Sequence, residues 1–220
     1  MTMPAQIVDY PSLIAAVQDT LNRADLADAI PVFVQLCEGE INTDDRFRTT
    51  ASMVRSVATL SPPVSPAVNS FIPTPIDYIS MQNFRILEVP PPGRIEEITT
   101  SQMDIQRQIL PQSDTPIFYT IIGQEMELLP APDTTYTAQM IYYAEIPPLI
   151  TNTVNWMLTR FPQIYYYGTL MQAAPYLRQD DRIATWRTLY EAAAERIKVS
   201  NDRGQFSGSV MKARTNRRYR

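Results

Sequence analysis

The sequence predicts an α+β protein: a helical bundle from the N- and C-terminal helices, with an inserted, mostly antiparallel β domain and an extended C-terminal arm. The first observation is the distribution of proline, since 14 of the 19 prolines lie between Pro62 and Pro148. Proline lacks a backbone donor and breaks helices, so this region favours strands and loops. The second observation is that apolar residues recur at helical spacing on both flanks. Each flank is too small to bury its apolar face alone, so we expect the two to pack together.

The domain boundaries are placed where these patterns change. Residues 1–45 and 149–203 supply the helices of the bundle, 46–148 form the β domain, and 204–220 form a flexible basic arm. The β domain is expected to be a small sandwich or an open barrel, because its segments are short and are separated by turn residues.

The first flank predicts two antiparallel helices, over 11–23 and 28–44. Asp28 is the expected N-cap of the second helix. Cys37 lies within the apolar pattern of that helix, and we interpret it as a small buried hydrophobe rather than a reactive thiol.

The middle region predicts several strands and one helix. Gly123 and Gln124 are the expected turn of a tight hairpin. A short helix is expected at SQMDIQRQIL, where Ser101 and Asp104 form a weak capping box. The strand segments are RTTASMVRSVATL, ISMQNFRILEV, GRIEEIT, IFYTIIG, EMELLPA and YTAQMIYYAEI.

The last flank predicts a helix over 154–177, broken or restarted near Pro162, and a second helix over 180–201 that is capped by Asp180. Trp156 and Trp186 fall on apolar helical faces and are interpreted as core residues. The segment GQFSGS that follows is expected to be a hinge.

The composition excludes most classes of enzyme. The chain has no histidine, which excludes Ser-His-Asp and Cys-His catalysis and imidazole metal ligands. It has no glycine-rich phosphate-binding motif, and its single cysteine cannot form an internal disulfide. We therefore expect no catalytic residue, metal or cofactor. The acidic pairs Asp44-Asp45 and Asp180-Asp181 lie at predicted helix ends and are given a structural interpretation. No signal peptide and no membrane span are expected.

The last ten residues, MKARTNRRYR, differ in charge from the rest of the chain. They hold five basic and no acidic residues, whereas residues 1–210 hold 14 basic and 23 acidic residues, a net charge of −9. A segment with so little apolar surface cannot fold by itself, so we expect it to become ordered only on contact with another molecule.

Three blocks of the sequence resemble one known family. The first, SLIAAVQDTLNRADLADAIPVFVQLCEGEIN, follows the pattern L-N-R-x-D-L, then I-P-x-F-x-x-L-x-E-x-x-I-N-x-x-x-R, and it is similar to the opening of the head-to-tail adaptor (connector) proteins of tailed bacteriophages. The block TPIFYTIIGQEMELLPAPDTTYTAQMIYYAEIPPL resembles their central hairpin, and NWMLTRFPQIYYYGTLMQAAPYLRQDDRIATWRTLYEAAAERI resembles their C-terminal helices. The matching residues of the first block are Leu21, Asn22, Arg23, Asp25, Leu26, Ile30, Pro31, Phe33, Leu36, Glu38, Ile41, Asn42 and Arg46.

The resemblance implies a structural virion protein that forms a ring, typically of twelve subunits, below the portal protein. Such a ring closes the DNA-filled head and is the attachment platform for tail (nozzle or tail-tube) proteins. Genomic DNA passes through its channel without sequence-specific binding. The implied location is the head-to-tail interface of the virion, after assembly in the host cytoplasm and without any membrane contact.

The resemblance implies the ring, and the sequence itself supplies the candidate contact residues. The C-terminal arm is the candidate for portal binding; the alternatives are that it faces DNA or has no role. Tyr165 and Tyr166 are subunit-interface candidates, with Tyr167 expected in the core, because three successive residues cannot share one helical face; the alternative is plain partial burial. The loop with Pro90, Pro91 and Pro92 is a stiff tip that either contacts a tail protein or is idle. The portal-binding candidates are Met211, Lys212, Arg214, Arg217, Arg218, Tyr219 and Arg220.

Two other functions are open at this point. One is a nucleic-acid-binding protein that grips phosphates with its basic tail, although the acidic body would repel a duplex. The other is a carboxylate-dependent tail hydrolase, which needs two carboxylates about 5–10 Å apart in a cleft.

Overall fold

The computed structural model describes residues 6–63, 70–88, 93–177 and 180–206, and it confirms the predicted α+β fold class. The described residues form two compact units. The helical unit combines the chain up to Ala51 with the chain from Ile146 onward, and the β unit is Ser52–Glu145. Each unit has its own hydrophobic core. None of the described helices is both long enough and apolar enough to cross a bilayer.

The described residues of the helical unit form five α-helices. They are α1 (Tyr10–Leu21), α2 (Ile30–Thr43), α4 (Trp156–Arg160), α5 (Pro162–Leu177) and α6 (Asp180–Phe206). Helix α5 contacts α1, α2, α4 and α6, so the helices from the two ends of the chain share one core. The interpretation of Trp186 as a core residue is confirmed, and Trp156 is partly buried against the same core.

The start of α2 differs from the prediction. Ala29, not Asp28, is the N-cap residue, and no side chain caps this helix. The physical reason lies in Pro31, which occupies the first turn and lacks one of the N–H groups that a cap would satisfy. By contrast, Asp9 caps α1, because its carboxylate accepts a 2.9 Å hydrogen bond from the Ser12 backbone N–H.

The break near Pro162 is confirmed. Phe161 has φ −137° and ψ 57°, outside the helical region, and α5 begins at Pro162 itself. Helix α6 is described from Asp180 to Phe206, so it runs past the predicted end at 201. The predicted capping role of Asp180 lies outside the part of the chain that the structure describes. The predicted hinge therefore starts inside a helix, because one interior glycine, Gly204, costs only about 1 kcal/mol of helix stability.

Helices α2, α5 and α6 approach closely at one glycine. A Cβ atom on Gly168 would overlap the Sγ atom of Cys37 and would lie 3.2 Å from Cε2 of Tyr190. Cys37 is fully buried, as predicted, and burial raises the pKa of its thiol. Only a residue without a side chain fits between these three helices.

In the described part of the β unit there are seven strands and one α-helix. Helix α3 spans Thr100–Ile109. The strands are β1 (Met53–Leu60), β2 (Ser70–Pro73), β3 (Tyr78–Ile86), β4 (Glu96–Glu97), β5 (Phe118–Ile122), β6 (Glu125–Leu129) and β7 (Tyr136–Ala144). They form two sheets with the orders β1-β7-β3 and β2-β6-β5-β4, and the only parallel pair among the described strands is β4–β5. The sheets share one core, in which the rings of Phe84 and Tyr119 lie 5.3 Å apart.

The predicted hairpin is confirmed. Ile122 pairs with Glu125, so Gly123 and Gln124 form a two-residue turn between β5 and β6. Gly123 has φ +66°, which glycine adopts without steric cost and which such turns require.

The helix at SQMDIQRQIL is confirmed as α3, but its predicted cap is wrong. Thr99 and Gln102 form the capping box, two residues before Ser101 and Asp104. Asp104 instead accepts a 2.9 Å hydrogen bond from Arg107. The β2 strand, SFIP, was not predicted, because a four-residue apolar stretch ending in proline carries almost no periodicity.

Candidate assembly surface

The three consecutive tyrosines of α5 lie in different surroundings. Tyr165 is fully buried, whereas Tyr166 and Tyr167 are partly exposed and their rings lie 5.2 Å apart. The expected core position of Tyr167 and outward position of Tyr165 are therefore wrong. Since α5 is surrounded by other helices, its buried arc is wide enough to include Tyr165 together with Gly168. Tyr166 shares a hydrogen bond with Thr20 of α1 and stays an interface candidate.

A buried polar network explains the position of Tyr165. Its hydroxyl oxygen accepts a 2.6 Å hydrogen bond from the Asn155 side-chain amide, and the hydroxyl donates to a Glu38 carboxylate oxygen at 3.4 Å. The Glu38 carboxylate also accepts a 2.8 Å hydrogen bond from the backbone N–H of Leu149. Burial raises the pKa of Glu38, and these two bonds partly oppose the rise.

The same network holds the chain where it returns to the helical unit. One turn after Glu38 on α2, the side chain of Asn42 accepts a 2.9 Å hydrogen bond from the backbone N–H of Ile146. Asn155 donates at 2.9 Å to the carbonyl of Pro147. Two side chains of α2 thus fix the backbone of the segment 146–149, and they satisfy donors that would otherwise be buried without a partner.

The acidic pair at the end of α2 has the expected structural role. Asp44 accepts hydrogen bonds from the backbone N–H and the Nε of Arg46, at 2.9 and 2.8 Å, and these bonds hold the pKa of its carboxyl below the usual value against the opposing effect of burial. Arg46 also forms an ion pair with Glu191 of α6. Asp45 forms a 3.0 Å ion pair with Arg48. In the described part of the chain, no group of three or more Cys, Asp and Glu side chains is placed to hold a metal ion.

An exposed apolar patch lies on the helical unit. Val32 and Leu36 are one turn apart on α2, and each is 52% exposed. Tyr176 of α5 is 63% exposed, and its ring lies 5.5 Å from that of Phe33. We define Val32, Leu36 and Tyr176 as the α2–α5 patch. Large apolar side chains clustered in this way are typical of contact surfaces.

A groove of about 660 Å³ lies between α2, α5 and α6. Gly39 lies at the groove, and since it has no side chain the space beside it is open. Met171 and Pro175 form an apolar wall of the groove. Its carboxylates include Asp44 and Glu191, which are both bound to Arg46. Such a groove suits a side chain of another protein better than it suits acid–base chemistry, because both of these carboxylates are held by the same guanidinium group.

A comparison with protein-family models identifies the family of the chain. The model described as SU10 adaptor protein matches residues 8–216. The chain belongs to this family. A comparison with curated proteins finds no match. The resemblance to head-to-tail adaptors of tailed phages is thereby confirmed, and the adaptor is a structural protein of the virion.

The polar residues that carried the resemblance now have structural roles in the adaptor. Glu38 and Asn42 hold the returning chain, and Arg46 joins α2 to α6. Asn22 ends α1 with φ 52°, a left-handed conformation that asparagine tolerates. Arg23 donates two hydrogen bonds of 2.6 Å to Asp25.

Two sets of predicted contact residues lie outside the described part of the adaptor. These are the proline loop, Pro90, Pro91 and Pro92, and the basic C-terminal segment from Met211 to Arg220. The α2–α5 patch and the groove, which sequence reasoning missed, are described. Val32 and Leu36 lie on α2 outside its buried face, and helical periodicity does not show which exposed apolar residues are grouped at the surface.

Proposed function

We propose that this adaptor assembles into a ring of twelve copies below the portal, closes the DNA-filled head and forms the platform to which tail proteins attach. The family match over residues 8–216 carries the proposal. Genomic DNA passes through the ring without base recognition, and the Pro90–Pro92 loop is the proposed contact for a tail protein. A net charge of −4 for the chain agrees with DNA passing rather than binding.

The subunit contacts of this ring are assigned to the helical unit. A cyclic ring needs two unlike surfaces on each copy, one meeting the other on the next copy. The groove is a concave surface with an apolar wall, and the α2–α5 patch presents exposed apolar side chains. Tyr166 is a further candidate, since it is partly exposed and Tyr is favoured where one end of a side chain is buried and the other is wet.

The basic C-terminal segment is assigned to the portal. Its five basic residues would pair with portal carboxylates, while Met211 and Tyr219 supply apolar contacts. A surface ion pair contributes at most about 1 kcal/mol, so one segment binds weakly. Twelve segments on one ring act together, and this multivalency makes weak single contacts sufficient.

The test compares the full-length chain with a chain lacking residues 209–220, a deletion that leaves α6 intact. We expect the native mass of the full-length chain to shift to that of a ring when portal is added. The truncated chain should melt at the same temperature but fail to attach to the portal. A full-length variant with the five basic residues of the C-terminal segment replaced by glutamine keeps the length of the segment but removes its charge, so it shows whether portal attachment depends on the charge. Normal portal attachment by the truncated chain would refute the docking role, and absence of any ring from the full-length chain with portal would refute the ring.

A further inference from the structure

The groove between α2, α5 and α6 contains a buried hydroxyl group. Tyr190 lines the groove and is 4% exposed, and its hydroxyl forms no hydrogen bond with any residue that the structure describes. The charged groups that act on this hydroxyl include Glu40, Asp44 and Arg46, which all line the groove. The hydroxyl therefore lies on the groove side of the ring. A buried polar group without a partner is a place where a ligand can supply the missing hydrogen bond.

The charges around this hydroxyl favour a cation. Burial raises the pKa of Tyr190, and the carboxylates of Glu40 and Asp44 raise it further. Arg46 has the opposite effect, but it is itself held by two carboxylates, whereas Glu40 is exposed and forms no ion pair with a described residue. The second guanidinium of the groove, Arg187, is exposed, so water and salt screen its charge. An arginine side chain suits this site, since its several N–H groups can bond to the hydroxyl oxygen and to the Glu40 carboxylate together.

The chain itself carries such side chains after α6. Residues 207–220 hold five basic and no acidic residues. Residues 1–51, which include α2, hold eight acidic and three basic residues, a net charge of −5. The segment and this part of the helical unit are therefore complementary in charge. The segment also carries apolar side chains that match the apolar wall of the groove, namely Val210, Met211 and Tyr219.

The segment is long enough to return to the groove of its own subunit. From Glu191 in the groove to Phe206, where the described part of α6 ends, the helix advances 15 residues, or about 22 Å. Serine and glycine at 207–209 are residues that favour a reversal of the chain. Eight extended residues after such a turn span about 26 Å, so Arg217 and the residues that follow it can reach the groove.

We infer that the basic C-terminal segment of the free subunit folds back along α6 and binds the groove of the same chain, where an arginine donates hydrogen bonds to Tyr190 and Glu40. This inference rests on the proposed function, in which the portal binds the segment and the groove contacts the next copy. Tethering gives the segment a local concentration on the order of millimolar, so weak binding is sufficient. A free subunit then covers a surface that it needs for the ring, and the portal uncovers this surface when it takes the segment.

The first experiment places a photo-crosslinker in the groove of the full-length free subunit, in place of the partly exposed Gln172. The expected product has the mass of one chain and joins α5 to residues 210–220, as peptide mapping would show. The control places the same crosslinker at Ala15, an exposed residue of α1, and should not give this product. If Gln172 gives no product with the segment, or if Ala15 gives as much, the inference is overturned. The proposed function is unaffected by either result, because neither portal nor ring is present.

The second experiment adds a matched pair of charge reversals to the chain with the crosslinker at 172. Glu40→Lys reverses the free carboxylate of the groove, and Asp19→Lys makes the same change at an exposed carboxylate of α1. Both variants should melt like the unchanged chain. Glu40→Lys should lower the yield of the product about tenfold, whereas Asp19→Lys should leave it unchanged. Equal yields in the two variants overturn the assigned contact.

The third experiment adds the portal to the same crosslinker chain. The product should be lost from subunits that attach to the portal, because the segment has left the groove. A product that persists in attached subunits overturns the release of the groove, together with the portal role of the segment. A product that is absent from free and attached subunits alike overturns the binding of the segment to the groove and leaves the portal role standing.

Discussion

Replacing Gly168 by alanine should destabilise the helical unit, although alanine is the better helix former. The new Cβ would overlap the Sγ atom of Cys37 and would lie 3.2 Å from the ring of Tyr190. Cys37 is completely buried and Tyr190 is 4% exposed, so neither side chain can move into solvent. Overpacking of this kind costs about 1–3 kcal/mol. The gain in helix propensity returns about 1 kcal/mol, which leaves a net loss of up to about 2 kcal/mol.

Gly39 is the matched control. It also lies inside a helix, α2, but a Cβ there meets no atom within 4 Å. Gly39→Ala should therefore stabilise the free subunit by about 1 kcal/mol. The assay is thermal unfolding of the free subunit, in which 1 kcal/mol corresponds to a change of about 2–4 °C in melting temperature for a chain of this size. The two variants should shift the melting temperature in opposite directions.

A double-mutant cycle locates the cause of the destabilisation. Cys37→Ala removes the sulfur atom and should cost about 1 kcal/mol by itself. In the background of Cys37→Ala, the alanine at 168 has room, so it should become neutral or stabilising, with a coupling energy in the range of about 0.5–3 kcal/mol for residues in contact. If Gly168→Ala is as stable as Gly39→Ala, or if its cost is the same with and without the Cys37 sulfur, the close approach of α2 and α5 is wrong.

Two further predictions concern buried carboxylates. Burial raises the pKa of Glu38 above its usual 4.5, so the folded protein binds this proton more tightly than the unfolded chain does. The contribution of this proton to the free energy of unfolding is therefore complete below pH 4.5. It is lost as the pH rises through the pKa of Glu38 in the folded protein. Urea unfolding between pH 4 and 8 should therefore show a free energy of unfolding that depends less on pH for Glu38→Gln than for the unchanged chain; the same pH dependence in both would contradict the argument. Glu38→Ala should lose about 1–3 kcal/mol of stability for each hydrogen-bond donor left without a partner. In the β unit, Glu127 is 5% exposed and forms an ion pair with Arg107. Arg107→Met leaves this buried carboxylate without its partner and should cost about 1–3 kcal/mol of stability. This cost is below that of breaking a fully buried pair, because Arg107 itself is partly exposed. Asp104 is the exposed second partner of Arg107, so Asp104→Asn should cost less than about 1 kcal/mol of stability. Equal losses in Arg107→Met and Asp104→Asn would mean that the Arg107–Asp104 pair, not the Arg107–Glu127 pair, supplies the stability.

The sequence predicts the elements well wherever periodicity or turn chemistry is strong. The apolar faces of α1, α2 and α6 extend over three or more turns, and Gly123 has a positive φ that few other residues accept. Caps are harder to predict, because any Ser, Thr or Asp near a helix start is a candidate. Asp28 and Ser101 illustrate this: each lies within two residues of the true cap, and neither is used.

The candidate site is less predictable, because it depends on which faces remain uncovered. Tyr165 and Tyr166 are chemically identical, yet one is buried in a polar network and the other bonds to α1 at the surface. Their difference comes from tertiary contacts, with Asn155 and Glu38 for Tyr165 and with Thr20 for Tyr166, which the local sequence of α5 does not reveal. The outer position of β1 in its sheet is likewise a property of strand order, and strand order cannot be read from the residues of β1 itself.

The position of the β unit between the two halves of the helical unit has a consequence for synthesis. The β unit is continuous in sequence, so its core is complete once Glu145 has emerged from the ribosome. Helices α1 and α2 pack against α5, which begins at Pro162, 119 positions after the end of α2. At 5–20 residues per second, this separation corresponds to a wait of roughly 6–24 s. We therefore expect the middle of the chain to fold before its beginning.

Ribosome-bound chains that stop at a length at which Glu145 has left the exit tunnel but Pro162 has not would show this order directly. Protease should spare the β unit in such chains and cut α1 and α2, and resistance of both helices at that length would contradict the expected order. The first helices to be made are then the last to be buried. Slow translation would lengthen the period in which their apolar faces are accessible to chaperones and proteases, and the yield of adaptor in an infected cell would depend on elongation rate as well as on stability.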